Sequence, residues 1–472
     1  MIHDSLVRAE PSRVFLRVGD GALTFGDVNA LSDAYAVALD VAPGERVALQ
    51  LTNRPEFFAL VTAITKSGGA AVLLSPAWKE REVAHALAIT GAPRLITDTT
   101  LPSVKEFPSP ARQSLHRSEG GSEDDDAILV FSSGTTGLPK AVRHTHRSLG
   151  AATQHWVTAL GLGADDRFQV ATPPSHILGL LNLLAAAEAG VTVRLHPRFD
   201  LDECLRRIET DRLTLEMAVA PIALAMANHP SIEDYDLSSL RYIMWGATPV
   251  TESVAETVTK RTGVGFLPAY GASEFPVLAC NPVADPLAWR LDSAGLPPRD
   301  VELRVVDLDT RAVLAPGGVG EIQARGPSVM AGYLPEDANA EGFEDGWYRT
   351  GDVGWIEDDG WVHLTDRSKE MIKVSGFQVA PAEIEAVLHG HPAVLDCAVF
   401  GLPDEQKGEV PVAVVQTDGT VTPGALQQLV ADSLATYKQV RHVVVVDDIP
   451  RLPSGKVLRR TLRDEWTPKL TA

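Results

Sequence analysis

The sequence predicts an α/β protein with a large N-terminal domain, in which helices cover the sheets, and a small α+β C-terminal domain. Residues up to about 250 alternate strand-like and helix-like segments, as expected for sheets covered by helices. From about Ala294, short alternating strands lie between Gly, Pro and Asp turns and predict a β-rich subdomain. The residues after Asp366 carry an αβ pattern of their own. We therefore predict domains at 1–366 and 367–472.

The individual elements follow from the hydrophobic period and the turn residues. The predicted strands are Arg46–Gln50, Ala70–Leu74, Ile128–Val130, Thr192–Leu195, Leu213–Ala218, Arg241–Trp245, Val301–Val306 and Gly320–Ala324. The predicted helices are Arg54–Lys66, Lys79–Ile89, Leu201–Ile208 and Ile222–Ala227, with a further helix starting near Pro249. The polar segment Pro102–Asp126, which contains prolines and an acidic run, is predicted to be a solvated loop.

Composition excludes several classes of protein. The net charge of −20 disfavours a general nucleic-acid or anionic-membrane binder. The three cysteines lie far apart in the sequence, which argues against a disulfide scaffold or a cysteine-built metal site. The apolar stretches are interrupted by charges, and no targeting signal opens the chain, so neither a membrane span nor a secreted protein is predicted. We expect a cytoplasmic location.

A phosphate-binding loop is predicted directly after the apolar strand Ile128–Val130. The segment from Phe131 to Lys140 combines hydroxyls, glycines and one lysine, so its backbone N–H groups can approach an anion closely and its side chains add donors and charge. The spacing differs from that of the Walker loop. The residues that carry the prediction are Ser132, Ser133, Gly134, Thr135, Thr136, Gly137 and Lys140.

This loop resembles the nucleotide-binding loop of the adenylate-forming superfamily, which includes acyl- and aryl-CoA synthetases, peptide-synthetase adenylation domains and firefly luciferase. Further motifs that resemble those of the superfamily follow in the same order and span most of the chain. They are Gly246-Ala-Thr-Pro249, Tyr270-Gly-Ala-Ser-Glu274, Gly320-Glu-Ile322, Tyr348-Arg-Thr-Gly-Asp352, Asp366-Arg367, Gly376-Phe-Gln-Val-Ala-Pro381 and Pro453-Ser-Gly-Lys456.

The resemblance implies how ATP would be held. Tyr270 resembles the residue that stacks on adenine, Ser273 resembles a phosphate-contacting hydroxyl, and Glu274 resembles the Mg²⁺ ligand. Asp352 resembles the carboxylate that accepts bonds from both ribose hydroxyls, and Arg367 resembles the second ribose contact. The remaining residues assigned to the nucleotide are Gly246, Ala247, Thr248, Gly271 and Ala272.

Three residues are assigned to the chemistry. Lys456 resembles the lysine that contacts the reacting carboxylate and the α-phosphate, where a point charge stabilises the transition state. Lys140 would support the departing pyrophosphate. His176 resembles the gate between the carboxylate pocket and the thiol tunnel. For His144 and His146, which have no third ligand nearby in sequence, surface or packing roles are predicted.

The acid pocket of this superfamily corresponds here to the helix after His176 and to the segments around Gly246 and Glu274. No Asp, Arg or Lys occurs from Ser175 to Ala187, and Asn182 is the one polar residue among Ile177–Leu184. An unpaired charge buried in such a pocket is costly, so an apolar monocarboxylate is expected, either aromatic or medium-chain aliphatic. The residues assigned to this pocket are His176, Leu180, Gly246, Gly271, Phe275 and Val277.

The resemblance also implies a mobile C-terminal domain that rotates about Lys369, between the adenylation and thioester-forming steps. Ser375, Gly376 and Phe377 belong to the segment assigned to coenzyme A (CoA) and the hinge. The expected activity is an ATP- and Mg²⁺-dependent carboxylic acid–CoA ligase. The alternatives are transfer to an acyl carrier protein, a luciferase-like monooxygenase, and a non-catalytic scaffold.

Overall fold

The computed structural model describes residues 1–102, 121–132, 139–246, 251–367, 370–375, 377–404, 406–451 and 456–470. Its helices are α1 (Ser5–Arg8), α2 (Phe25–Leu39), α3 (Pro55–Lys66), α4 (Glu80–Thr90), α5 (His146–Leu160), α6 (Ile177–Ala189), α7 (Leu201–Asp211), α8 (Ala220–Ala227), α9 (Glu252–Thr262), α10 (Asn339–Gly342), α11 (Pro381–His389), α12 (Pro423–Ser433) and α13 (Arg459–Leu470). Short 3₁₀ turns occur at Ile2–Asp4, Ile232–Asp234, Pro286–Ala288, Glu336–Ala338 and Thr436–Lys438.

The strands before the β-rich part are β1 (Val14–Val18), β2 (Gly21–Thr24), β3 (Arg46–Gln50), β4 (Ala70–Leu73), β5 (Arg94–Thr97), β6 (Asp126–Ser132), β7 (Lys140–Thr145), β8 (Arg167–Val170), β9 (Thr192–Leu195), β10 (Leu215–Ala218), β11 (Tyr242–Trp245), β12 (Phe266–Tyr270) and β13 (Ala279–Cys280). They are followed by β14 (Glu302–Val306), β15 (Gly320–Arg325), β16 (Gly332–Leu334), β17 (Phe343–Glu344), β18 (Trp347–Ile356), β19 (Val362–Arg367), β20 (Ile372–Val374), β21 (Phe377–Val379), β22 (Val394–Asp404), β23 (Gly408–Thr417) and β24 (His442–Val445).

The described residues of the large N-terminal domain form three sheets. An eight-stranded sheet has the order β13-β12-β11-β10-β8-β9-β1-β2, and a six-stranded sheet has the order β16-β7-β6-β4-β3-β5. The inner strands of the eight-stranded sheet run parallel, as do β6, β4, β3 and β5, which fits the predicted alternation of strands and helices. The third sheet, β14-β15-β18-β17 with β19 on β18, is antiparallel and forms the predicted β-rich part.

The core of the large domain lies around two helices that are apolar on nearly every side. Residues Phe57–Thr65 of α3 are all buried, as are ten of the thirteen residues of α6. A helix with apolar residues all round is stable when it is enclosed by other elements. These two segments are therefore core helices. Among the described residues, no helix is long and apolar enough to span a membrane.

The small C-terminal domain is built on one sheet, β21-β20-β23-β22 with β24 on β23. Helices α11 and α12 cover one face through Ile384, Leu388 and Leu426, and α13 covers the other face through Leu462. Helix α11 also contacts the large domain. The Oγ of Ser253 donates to the carbonyl oxygen of His389 at 3.4 Å, and the N–H of Ala382 donates to Asp366 at 2.9 Å.

The predicted fold class is confirmed, and the predicted elements differ from the structure mainly at their ends. Asp126 was expected to close a solvated loop, but it begins β6 and accepts bonds from Arg46 and Arg143. The ion pairs with these two arginines explain why a carboxylate is stable at the start of β6. The helix expected near Pro249 begins at Glu252. Residues 103–120 of the predicted loop lie outside the described residues.

Candidate active site

The predicted phosphate loop connects two antiparallel neighbours. Ser132 ends β6 and is paired in register with Lys140, which begins β7. The two residues therefore stand side by side where the chain leaves and re-enters the six-stranded sheet. His85 on α4 contacts this connection through its Nε2, 3.0 Å from the carbonyl oxygen of Pro139. The other predicted loop residues, Ser133, Gly134, Thr135, Thr136 and Gly137, lie outside the described residues.

Two residues predicted to hold the nucleoside are in direct contact. Tyr270 ends β12, and its hydroxyl donates to Oδ2 of Asp352 on β18 at 2.6 Å. Both residues are buried, with exposed fractions of 8% and 7%. Asp352 is also paired in backbone register with Arg367 on β19. The side chain of Arg367 lies outside the described part of the structure. The structure thus brings the predicted adenine and ribose positions together, although they are far apart in sequence.

The Tyr270–Glu274 loop is tightly folded. A Cβ on Gly271 would lie 2.0 Å from the carbonyl oxygen of Pro276, so a glycine is required there. Ala272 and Phe275 exchange backbone hydrogen bonds at 3.0 and 3.2 Å. This folding places Tyr270 and Glu274 on the same short loop. Gly246, also predicted at the nucleotide, is buried at the end of β11, whereas Ala247 and Thr248 lie outside the described residues.

Glu274 and Lys140 are joined through Tyr333, which the sequence reasoning missed. The Tyr333 hydroxyl donates to Oε1 of Glu274 at 2.9 Å, and the Lys140 ammonium lies 5.4 Å from the centroid of the Tyr333 ring. Tyr333 occupies β16, which pairs with β7 and so brings the ring beside Lys140. A single Gly-Tyr pair in a short strand carries no recognisable signal in one sequence.

His144 is a second residue that the sequence reasoning left without a site role. It is fully buried on β7, and its Nε2 lies 2.8 Å from the carbonyl oxygen of Ser273. Its Nδ1 lies 3.1 Å from the Oγ of Ser148. Burial lowers the pKa of His144 to about 4, so the neutral ring donates to Ser273 and accepts from Ser148. His144 therefore ties the strand that carries Lys140 to the loop that carries Glu274.

His176, the predicted gate, caps the N-terminus of α6. Its Nδ1 accepts from the N–H of Leu178 at 3.3 Å, and burial lowers the pKa of His176 to about 4. The ring is therefore neutral near pH 7, with its remaining proton on Nε2. A Cβ on Gly179 would lie 2.5 Å from the carbonyl oxygen of Pro173, so the first turn of α6 packs closely on the segment that precedes His176.

The structure buries the apolar residues that are predicted to line the acid pocket. Leu180, Phe275 and Val277 have no exposed surface and belong to the main core. Asn182, the polar residue of α6, is also fully buried, and its Oδ1 accepts from the Trp156 indole N–H at 2.7 Å. The three apolar side chains pack in this core, and the Nδ2 of Asn182 is buried with no hydrogen-bond partner among the described residues. The assignment of these three residues to the acid pocket stays a prediction.

Lys456 lies in the C-terminal domain next to a short backbone bridge. The residue is partly buried and precedes Val457, which pairs with Arg451. Ser375 has a φ of +52°, and the Phe377 ring is 54% exposed and stacks on Tyr437 with centroids 4.5 Å apart. Lys369 and Gly376 lie outside the described residues.

Glu274 has the chemistry of a magnesium ligand. It is a buried carboxylate, and Tyr333 is the one donor to it recorded among the described residues. Mg²⁺ is bound in proteins by one or two carboxylates together with substrate phosphates, so a single glutamate beside a phosphate loop fits it. No group of three or more His, Cys, Asp or Glu residues suited to a metal occurs in the described parts of the chain.

Comparison with known proteins agrees with this site. Residues 4–334 match the family of AMP-binding enzymes, and residues 383–456 match the C-terminal domain of AMP-binding enzymes. The chain therefore belongs to the AMP-binding, adenylate-forming family and is an acid–thiol ligase that uses ATP and CoA. Membership confirms the predicted superfamily and makes a non-catalytic scaffold the wrong alternative.

Individual relatives agree along most of the chain. It is 35% identical to 4-coumarate–CoA ligase 1 of Oryza sativa subsp. japonica, covering 94% of this chain and 88% of that protein. The solved anthranilate CoA ligase AuaEII, in complex with anthranoyl-AMP, is 25% identical with a TM-score of 0.91 over 100% of this chain and 98% of that one. The o-succinylbenzoate CoA synthetase MenE of Bacillus subtilis is 30% identical with a TM-score of 0.85, covering 98% of each chain.

Proposed function

We propose that this enzyme activates an apolar monocarboxylic acid, aromatic or medium-chain aliphatic, as an acyl-adenylate and transfers the acyl group to CoA. The proposal is carried by two contacts that meet at the Tyr270–Glu274 loop. Tyr270 binds Asp352 at one end of the loop, and Glu274 is joined through Tyr333 to Lys140 at the other. An aromatic residue with a carboxylate suits a nucleoside, and a carboxylate near an ammonium suits a metal-bound polyphosphate.

The first step forms a bond between a carboxylate oxygen of the acid and the α-phosphorus of ATP, while the bond from that phosphorus to pyrophosphate breaks. Tyr270, Asp352 and Arg367 hold the nucleoside, and Lys140 faces the leaving pyrophosphate. Mg²⁺ held by Glu274 would offset phosphate charge. Lys456 stabilises the charge that develops on the reacting oxygens, and this requires the C-terminal domain to place it there.

The second step forms a bond between the thiol sulfur of CoA and the activated carbonyl carbon, and the bond to AMP breaks as the thiol proton leaves. The predicted domain boundary lies between Asp366 and Arg367, but Arg367 still pairs with Asp352 in the large domain. We therefore place the hinge at Lys369, and the body that moves about it begins at Glu370. The small domain presents the exposed Phe377 ring, which is available to line the path of CoA. His176, neutral near pH 7, stands between the two substrates without adding charge.

The acid class rests on the absence of charge from Ile177 to Ala187 of α6. The acidic residue of this helix, Glu188, lies at its C-terminal end and is engaged by Arg8 and Gln154. An ammonium or a second carboxylate brought beside this helix would therefore be desolvated without a partner, which is costly. The names of two relatives, a coumarate–CoA ligase and an anthranilate CoA ligase, favour an aryl acid within this class.

A substrate panel with both acceptors tests the proposal. Purified enzyme, ATP and Mg²⁺ are combined with benzoates, cinnamates, C6–C12 fatty acids, malonate, o-succinylbenzoate and α-amino acids. Pyrophosphate, AMP and thioester are measured separately, with CoA or with a phosphopantetheinylated acyl carrier protein. We expect the highest kcat/KM for an apolar monocarboxylate with CoA. A higher kcat/KM for a dicarboxylate or an amino acid would refute the acid class, and preference for the carrier protein would refute the acceptor.

A further inference from the structure

The segment that carries Lys456 is held at both of its ends by buried ion pairs. On the upstream side, Arg451 donates to both oxygens of Asp396, at 2.7 and 3.0 Å. The backbones of Arg451 and Val457 form an antiparallel bridge, and the N–H of Leu458 donates to the carbonyl oxygen of Pro450 at 2.9 Å. Arg451 and Val457, on either side of the segment 452–456, therefore lie next to each other.

On the downstream side, Arg459 uses all three of its guanidinium nitrogens. Nη2 donates to both oxygens of Glu385 at 2.8 Å, Nη1 donates to Glu370 at 2.6 Å, and Nε donates to the carbonyl oxygen of Val399 at 3.1 Å. Glu385 in turn accepts from the N–H of Val399 at 2.7 Å. Arg459 and Glu385 thus bind the carbonyl oxygen and the N–H of Val399, which lies on the edge strand β22.

The charged side chains of this cluster are largely buried. The side chains of Arg459, Glu370 and Glu385 are 17%, 16% and 14% exposed. Burial opposes the charge of Arg459, but the carboxylates of Glu385, Glu370 and Asp366 raise the pKa of Arg459 above its usual value. The fork geometry of a guanidinium can hold two carboxylates at once, which a lysine ammonium cannot reproduce in the same way.

The position of Glu370 gives this cluster a specific meaning. Glu370 directly follows Lys369, the proposed hinge residue, and Arg459 lies three residues after Lys456. One side chain therefore connects the first residue of the moving body to the segment that carries the proposed catalytic lysine. The other ion pairs of this segment, Arg451 with Asp396 and Arg459 with Glu385, connect it to β22 and α11 and not to the residues beside the hinge.

We propose that Glu370 and Arg459 are positioning residues, which form a brace that makes Lys456 move as one rigid body with the hinge. The inference rests on the proposed role of Lys456 in adenylation. Its consequence is that weakening the brace misplaces the Lys456 ammonium and slows adenylation. Thioester formation, which does not use Lys456, is spared.

The test uses the full-length enzyme and the two half-reactions measured apart. Glu370→Gln keeps the shape of the side chain, removes its charge, and leaves Arg459 paired with Glu385. We expect the kcat of acyl-adenylate formation to fall about 10- to 100-fold, as misplacement of a catalytic group commonly costs. The KM values for ATP and acid, and thioester formation from supplied acyl-adenylate, should stay within about twofold.

Matched variants keep this test decisive. Arg459→Lys retains the charge and should show the same selective loss, so the result does not depend on one variant folding. Arg460→Gln is the control, because Arg460 is 72% exposed and pairs only with Asp464 among the described residues. It should leave both half-reactions unchanged. Equal losses in both half-reactions for Glu370→Gln and Arg459→Lys, or no loss in either, would overturn the proposal.

A double-mutant cycle separates failure of the brace from failure of the proposed function. If Lys456→Ala leaves adenylation intact, the catalytic assignment of Lys456 is wrong. If Lys456→Ala abolishes most adenylation, Glu370→Gln in that background should add less than about a twofold further loss, because both changes act through the same ammonium. A further tenfold loss in that background would overturn the brace while leaving the role of Lys456 intact.

Discussion

Tyr333 offers the sharpest test of how the active site is assembled, because it touches both Glu274 and Lys140. Replacing it with phenylalanine removes one hydroxyl and keeps the ring. The bond that is lost runs from the Tyr333 hydroxyl to a Glu274 oxygen at 2.9 Å, and both residues are 8% exposed. The contact of the ring with the Lys140 ammonium, 5.4 Å from the ring centroid, should survive.

The expected magnitude follows from the charge of the acceptor. A hydrogen bond to an ionised group contributes about 1.5–3 kcal/mol, and each 1.4 kcal/mol corresponds to about tenfold. If the hydroxyl orients Glu274 toward Mg²⁺, Tyr333→Phe should raise the Mg²⁺ concentration for half-maximal activity about 10- to 100-fold. The KM for the acid should not change, since the acid does not depend on this carboxylate.

The assay is pyrophosphate release at fixed ATP over a Mg²⁺ titration, supported by calorimetric binding of ATP at low and high Mg²⁺. Tyr242→Phe is the matched control, because its buried hydroxyl donates to the carbonyl oxygen of Leu160 and not to a site residue. An unchanged Mg²⁺ dependence in Tyr333→Phe, or an equal shift in Tyr242→Phe, would refute the reasoning.

Two further predictions concern stability and the hinge. Burial raises the pKa of Glu216 from 4.5 to about 8, so its contribution to stability is full below about pH 4.5 and is lost as pH rises through about 8. Glu216→Gln, which can still accept from Gln169, should therefore gain stability relative to the parent between those values, by at most about 1.4 kcal/mol per pH unit. Denaturant unfolding at several pH values measures this, and a difference that is independent of pH would contradict it. Lys369→Pro fixes one backbone torsion at the proposed hinge, so adenylation should persist while thioester formation is lost; unchanged overall turnover would exclude the hinge.

Much of the fold could be predicted because local hydrophobic patterns follow the element that they form. The strand Arg46–Gln50 agrees at both ends, and the helix after it begins one residue later than predicted, at Pro55. The helix expected near Pro249 begins only at Glu252, since helix ends depend on capping and on packing that the pattern does not record. Element type was therefore more predictable than element boundaries.

The lining of the acid pocket is hard to predict for a related reason. The pattern of α6 is apolar on all sides, so it does not distinguish a leucine that faces a substrate from one that faces another helix. In the structure Leu180 is fully buried, and the Oδ1 of Asn182 accepts from the Trp156 indole N–H. Which neighbours enclose a helix is decided by long-range packing, which a single sequence does not display.

The sequence by itself determined the family, the order of the motifs and the chemical character of each candidate residue, since these depend on residue type and local spacing. Only the tertiary structure decided which residues meet. Tyr270 and Asp352 are 82 positions apart, and Tyr333 and Glu274 are 59 positions apart, yet each pair is hydrogen-bonded. His144 reaches Ser273 across 129 positions. Such contacts arise because sheet pairing brings distant strands and loops together. A polar group that is buried on one of these elements then needs a hydrogen-bond partner, and a neighbouring element supplies it.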